Sequence, residues 1–174
     1  RLVSEGLAGL VRMIAHTAGV DDVALTTNGV LLRGQAADLA RAGLRRVNVS
    51  LDTLRRGRFR EITGYDVLPD VLQGIEEARR VGLSPIKVNM VVMRGVNDDE
   101  LLDFACLSRE GWNVRFIELM PLVNGDGKHR EFIPASEIRE RISSLGELQA
   151  CAPPPGNGPA DYYQLAAASG TVGF

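Results

Sequence analysis

The chain has 174 residues, 45% of them apolar, with 20 basic against 22 acidic side chains and a net charge of -2. That length supports one domain with a sizeable core, and the apolar content excludes a disordered chain. The near-neutral balance gives no global field to recruit nucleic acid or an anionic membrane, so any bound anion must be held by local groups.

From Leu7 to Ala15 the apolar residues Leu7, Leu10, Val11 and Ile14 recur at three and four, which predicts a helix with one buried face ending near Gly19. DDVALTTNG predicts a short strand, Val23 to Thr27, closed by the Asn28-Gly29 turn. LLRGQAADLARAG is a second helix with Leu39 and Ala42 inward and Gly43 at its C-terminus. RRVNVSLD predicts a strand with Val47, Val49 and Leu51 on one face, and RRGRFREIT a small helix. In VLPDVLQGIEEARRVG, Val71, Leu72, Ile75 and Ala78 line up on a longer helix before Gly82. IKVNMVVM is the third strand, NDDELLDFACLSREG its helix with an acidic first turn, and VRFIELMP the fourth strand.

Strands alternating with helices predict right-handed βαβ units and a parallel sheet, as in an α/β barrel or an open α/β sheet. After Pro121 the rhythm fails. LVNGDGKHREF is loop-like, PASEIRERISSL is a helix with Pro134 at its start and Ser136 near its cap, and CAPPPGNGPA is a turn-rich loop. DYYQLAAASGTVGF is a pair of strands turning through Ala168 to Gly170, an appendage to the sheet. No apolar run reaches the roughly 20 residues of a membrane span, and RLVSEG lacks a signal-peptide pattern, so a cytoplasmic chain is expected. Cys106 and Cys151 stand in no CxxC or CxH spacing, which encodes neither a disulfide framework nor a self-contained metal site, and Cys106 reads as a small buried thiol.

In parallel α/β folds ligands bind beyond the carboxyl ends of the strands. The polar groups there are Thr26, Thr27 and Asn28; Ser50 and Asp52; Arg94, Asn97 and Asp98; and Glu118, together with Met120 and Pro121. Each has a structural alternative: TTNG is a common turn, Asp52 and Asn97 can cap the helices that follow them, and a strand Met is normally core. Lys87 and Arg115 begin their strands, Lys87 on the face of Asn89 and Arg115 on that of Ile117. A lysine in a covered sheet is costly unless it meets an anion; the alternative is that both side chains extend back to solvent at the amino ends. Two functional classes stand on this basis. One is an anion-binding barrel enzyme with Lys87 and Arg115 on phosphate or carboxylate and Thr26, Ser50 and Asp52 as partners. The other is a Schiff-base barrel with Lys87 as nucleophile.

Taken in order, TTNG, RVNVSLD, KVNMVVMRGVND, RFIELMP and YYQL followed by GTVGF resemble the GTP 3',8-cyclase family, the radical S-adenosylmethionine enzymes that begin molybdenum-cofactor biosynthesis. The resemblance runs along essentially the whole chain. It implies an α/β fold: a partial (βα) TIM-like radical SAM barrel over residues 1–121, with residues 122–174 starting a C-terminal α+β extension that closes it. By the same resemblance Ser50 and Met120 contact S-adenosylmethionine, Thr26 and Lys87 face the GTP site, and Arg115 partners the triphosphate, a setting suited to the ammonium point charge of Lys87.

The family's reaction uses a 4Fe-4S cluster to cleave S-adenosylmethionine to a radical that takes hydrogen from the GTP ribose, after which C8 of guanine is joined to C3'; a second 4Fe-4S cluster helps bind the purine. The implied product is (8S)-3',8-cyclo-7,8-dihydroguanosine 5'-triphosphate, passed on to a cyclic pyranopterin monophosphate synthase. A cytoplasmic enzyme is implied, with no nucleic-acid or membrane partner and with room for a homodimer. The sequence departs from the family in lacking CxxxCxxC and GGEP, and Cys106 and Cys151 match neither cluster set. With no initiator methionine and an end at GTVGF, the chain is expected to be a central fragment without iron ligands, inactive alone and folding in part at best. A related radical barrel with another substrate and a non-catalytic phosphate-binding half-barrel remain as alternatives.

Overall fold

In the computed structural model, which describes residues 6–120, 131–156 and 158–174, helices and strands follow the hydrophobic periods of the sequence. They run α1 (Leu7–Ala15), β1 (Ala24–Thr27), α2 (Leu32–Arg41), β2 (Arg46–Ser50), α3 (Arg56–Thr63), α4 (Leu68–Arg80), β3 (Ile86–Val92), α5 (Leu101–Cys106), β4 (Asn113–Glu118), α6 (Ala135–Ser143), β5 (Leu148–Ala150), β6 (Tyr162–Leu165) and β7 (Thr171–Gly173). One seven-stranded sheet has the order β1-β2-β3-β4-β7-β6-β5, parallel from β1 through β7 and antiparallel across β7, β6 and β5. Among the described residues no helix is long and apolar enough to cross a membrane.

Alternation gives the sheet two unlike faces. Val47 and Val49 of β2, Val88, Met90 and Val92 of β3 and Val114 of β4 are fully buried and join one core with Leu39 of α2, Ile75 of α4 and Phe104 of α5. Each such side chain contributes roughly 1.5–3 kcal/mol on leaving water. Helix α4 starts with Pro69 and Asp70 in its first turn and ends with Arg79 and Arg80, matching the helix dipole at both ends. It approaches the β1–α2 turn closely because Gly74 has no side chain: a Cβ there would lie 2.8 Å from the Gly29 carbonyl oxygen. The opposite face carries Asn48, Ser50, Lys87, Asn89, Asn113 and Arg115.

Three local expectations are corrected. Helix α1 buries Val11, but Leu10 and Ile14 are 48% and 40% exposed, because α1 leans on the end of α2 through Ala15 and Gly43, a contact that covers only part of its apolar stripe. The helix expected after Asn97 breaks into a 3-10 turn (Asp98–Glu100), the short α5, and a second 3-10 turn (Leu107–Glu110). Its last carbonyls are claimed elsewhere: Ser108 Oγ donates to Ala105 O, and Gly170 N donates to Ser108 O at 2.8 Å. Ser136 does not cap α6; the Glu118 carboxylate does, accepting from Ala135 N at 2.6 Å. Leu148–Ala150, between the expected helix and the turn-rich loop and given no element by the sequence reading, adds an edge strand, β5.

The tail is stitched into the sheet. Strand β7 lies parallel to β4 with Val172 opposite Val114, and Thr171 N donates to Trp112 O. At Gly170 the two backbones touch so closely that a Cβ would sit 2.0 Å from the Trp112 oxygen. Gly170→Ala should therefore force β7 away from β4 and cost about 1–3 kcal/mol or more by urea unfolding. An unchanged midpoint would show that the hairpin is not fastened there.

Candidate active site

Parallel register assembles the polar face in rows. Thr26, Asn48, Lys87, Asn113 and Thr171 stand side by side across β1, β2, β3, β4 and β7. Asn48 Nδ2 donates to Thr26 Oγ1 at 3.2 Å, and Thr171 Oγ1 bonds Asn113 Oδ1 at 3.0 Å. The next row, nearer the carboxyl ends, holds Ser50, Asn89, Arg115 and Gly173, with Arg115 Nε donating to Asn89 Oδ1 at 2.8 Å. With neighbouring strands about 4.8 Å apart, Thr26 and Lys87 are separated by roughly 10 Å, a nucleotide's scale. Four of the five expected contact residues thus share two adjacent rows. Met120, 79% exposed, lies beyond β4 and shares a cavity of about 480 Å³ with Arg115, Ile117 and Phe174. Thr26 lines a different cavity, of about 300 Å³, with Leu25, Asn28 and Leu31.

Lys87 does not extend back to solvent. It is only 3% exposed, and its ammonium donates to the carbonyl oxygens of Pro155 at 3.1 Å and Pro154 at 3.3 Å, 5.6 Å from the centre of the Tyr162 ring. The described residues around Gly156 and Gly158 lie over the polar face: a Cβ on Gly156 would meet the Arg46 guanidinium, and one on Gly158 would lie 3.3 Å from Arg115 Nη1. Arg46 is paired with Asp22 at 2.6 Å, whereas among the described residues no carboxylate lies within salt-bridge distance of Lys87 or Arg115. Burial pushes the Lys87 ammonium below its ordinary value, and the charges of Arg115 and Arg46 push it further, against a smaller pull from Asp22.

A second network fixes the carboxyl ends. Glu100, fully buried, accepts from Thr53 Oγ1 at 2.6 Å and Leu54 N at 2.7 Å and pairs with Arg58. Asn97 donates to Asp52 O and Val91 O and accepts from Met93 N, while Asp52 Oδ1 accepts from Val91 N at 2.8 Å. Asp52 and Asn97 therefore tie the end of β2 to the end of β3; neither side chain caps a helix. Burial raises the Asp52 carboxyl, opposed by the Val91 bond. Arg94 and Asp98 have structural partners, Glu137 at 2.7 Å and Arg141 at 2.9 Å. Thr27 and Asn28 accept from Gly29 N and Val30 N, the turn role open to TTNG.

Asn48, Asn113, Tyr162 and the Glu100 lock escape a reading confined to strand ends. The usable signal was the two-residue spacing of polar groups in RVNVS and NVRF, which continues the face of Lys87 and Asn89.

The architecture defines a class first: a mostly parallel α/β sheet, layered with helices on its apolar face, with the candidate groups in two adjacent rows on its polar face. Residues 2–106 match the family described as the Radical SAM superfamily, and the chain belongs to that superfamily. It is 45% identical over 175 residues to the GTP 3',8-cyclase of Thermodesulfovibrio yellowstonii and 47% identical over 176 residues to that of Pelotomaculum thermopropionicum; each alignment covers 99% of this chain and 54% of the relative. The GTP 3',8-cyclase of Gloeobacter violaceus is 47% identical over 178 residues with the same coverage. The chain thus spans about half the length of the curated relatives it matches. A solved structure of TYW1 with a lysine-pyruvate adduct bound shares the fold, with a TM-score of 0.59 at 15% identity over 85% of this chain and 48% of that one.

Radical SAM membership implies S-adenosylmethionine and a 4Fe-4S cluster. The described residues do not fit a cluster: no three His, Cys, Asp or Glu side chains gather as a metal needs, and Cys106 and Cys151 lie on separate elements. Ser50 presents an exposed hydroxyl at the end of β2 and Met120 an exposed thioether beside an open cavity, groups with the chemistry to contact a small organic cofactor.

Removing the Glu100 carboxylate strands Thr53, Leu54 N and Arg58, so Glu100→Ala should cost about 3–5 kcal/mol in chemical unfolding; a loss below ~1 kcal/mol would deny it that role. Lys87 makes a second expectation. Its folded pKa lies below the ordinary 10.5, so the folded state releases its proton first and stability rises with pH between the depressed value and 10.5. Lys87→Met should remove that rise and stabilise the protein at neutral pH. Unfolding midpoints from pH 7 to 10.5 that move in parallel for both proteins would contradict it.

Proposed function

We propose that this chain is the central part of a GTP 3',8-cyclase, converting GTP to its 3',8-cyclic nucleotide in molybdenum-cofactor biosynthesis. Residues 1–121 then form part of the radical SAM barrel and 122–174 begin its extension. Thr26 and Lys87 face GTP, Arg115 meets the triphosphate, and Ser50 and Met120 hold S-adenosylmethionine. The product passes to a cyclic pyranopterin monophosphate synthase, and the enzyme works in the cytoplasm, as a monomer or homodimer, without nucleic-acid or membrane partners.

One observation carries this reading: a buried ammonium and a neighbouring guanidinium, with no carboxylate at salt-bridge distance among the described residues, on the open face of a radical SAM sheet. A buried ammonium beside a partly buried guanidinium is unfavourable alone and favourable around a polyanion. The Pro154 and Pro155 carbonyls occupy the positions that phosphate oxygens would take, so binding exchanges neutral acceptors for charged ones, which roughly doubles each hydrogen bond's strength. Bound S-adenosylmethionine supplies the radical chemistry; the residues here bind the nucleotide, orient its ribose and exclude water. A Schiff-base role for Lys87 would need an acid or base beside it, and the described residues place none in hydrogen-bond contact with its ammonium.

The test is GTP calorimetry on the full-length protein with reconstituted clusters. Lys87→Ala should weaken GTP roughly 10- to 100-fold and leave S-adenosylmethionine affinity unchanged. Unchanged GTP affinity would remove Lys87 from the site, and a wild-type protein that fails to bind GTP would turn the reading toward a radical barrel with another substrate.

A further inference from the structure

Among the described residues the Tyr162 hydroxyl is a buried side-chain oxygen without a hydrogen-bond partner. Such a group is costly and rare in a folded protein, and it calls for an explanation. Its place in the sheet supplies one. Tyr162 of β6 lies opposite Gly173 of β7, and Gly173 lies opposite Arg115 of β4. Gly173 is bare, and the phenol uses the space: a Cβ there would lie 2.9 Å from Tyr162 Cε1 and 3.3 Å from Arg115 Cγ. The ring thus crosses a strand it does not belong to and reaches Arg115 on one side, with the Lys87 ammonium 5.6 Å from its centre. Tyr162 itself is 5% exposed.

We propose that the Tyr162 hydroxyl is a third donor for the anion received by Lys87 and Arg115, and that it bonds a phosphate oxygen of the nucleoside polyphosphate substrate. The inference rests on the GTP reading above and deepens it by adding a neutral donor to two cations. Burial raises the phenol's pKa, and Arg115 only partly offsets the rise, through its charge and through a contact with the phenol oxygen that falls short of hydrogen-bond geometry, so the hydroxyl keeps its proton and has it free to donate at neutral pH. The anion reaches it as the Pro154–Pro155 backbone gives up Lys87, since the same ammonium underlies both. The orphaned oxygen is then the cost of a donor held ready before its acceptor arrives.

Tyr162→Phe separates this from a packing role, because it keeps the ring, its stacking under Lys87 and its cover of Gly173 while deleting one oxygen. In the full-length protein with reconstituted clusters, the variant should bind GTP about tenfold more weakly, and inorganic tripolyphosphate should raise its melting temperature less than that of wild type. Without ligand its melting temperature should equal or exceed the wild-type value, because an unpaired buried hydroxyl has been removed. GTP affinity within twofold of wild type, alongside a clear loss in Lys87→Ala, would overturn the role of the hydroxyl while leaving the GTP site intact. A lowered melting temperature with unchanged affinity would also overturn it, as the mark of a structural partner. Unchanged affinity in both variants would overturn the site reading beneath it.

Discussion

The register shared by β2, β3 and β4 decides which side chains can do chemistry. Side chains on a strand alternate with a period of two, so one slip would turn Lys87, Asn89 and Arg115 into the helix layer and expose Val88, Met90 and Val114 on the open face. Hydrophobic burial resists that slip, since Val47, Val49, Val88 and Met90 have no exposed surface to lose. Polar bonds resist it independently. Asp52 accepts from Val91 N, and Asn97 grips both Asp52 O and Val91 O, which fixes β2 against β3 at their carboxyl ends. The Glu100 cluster then anchors the start of α3 to the same corner.

With the register fixed, the tail finishes the site. Strand β7 adds Thr171 and Gly173 to the two polar rows, β6 brings Tyr162 over Gly173, and the Pro-rich segment between β5 and β6 lies on Lys87. The many surface pairs, such as Arg80 with Glu77 and Arg56 with Asp66, stand apart from this economy; exposed ion pairs contribute little to stability. Lys87 and Arg115 differ in kind, because Lys87 is buried and among the described residues neither has a carboxylate at salt-bridge distance.

Much of the fold was legible because it follows from periodicity. The apolar residues of VLPDVLQGIEEARRVG and IKVNMVVM repeat at 3.6 and 2, and α4 and β3 formed where those patterns lie. Helix α1 shows the limit: its stripe of Leu10, Val11 and Ile14 states a capacity for burial, and the number of neighbours set how much was used. The break after Cys106 depends on more than the local bond from Ser108 Oγ to Ala105 O, since Ser108 O also accepts from Gly170 N, 62 residues away in chain terms (170 minus 108). At the site, Lys87 and Arg115 were legible as charges on apolar strands. Tyr162 was not, because its reach depends on the absence of a side chain at Gly173, a relation between two strands that neither strand contains alone.

The carbonyl pair over Lys87 has a kinetic consequence. The chain's net charge is -2 and Arg46 is matched by Asp22, so little positive field extends beyond the surface to draw an anion in. Under the proposed function, encounter would therefore proceed at the unsteered rate of about 10⁵–10⁶ M⁻¹s⁻¹, nearly indifferent to ionic strength. Selectivity shifts to the lifetime of the complex. An anion with one charge would gain little by displacing two well-placed carbonyls and would leave quickly, whereas a polyphosphate that engaged both cations at once would be released only when several bonds broke together.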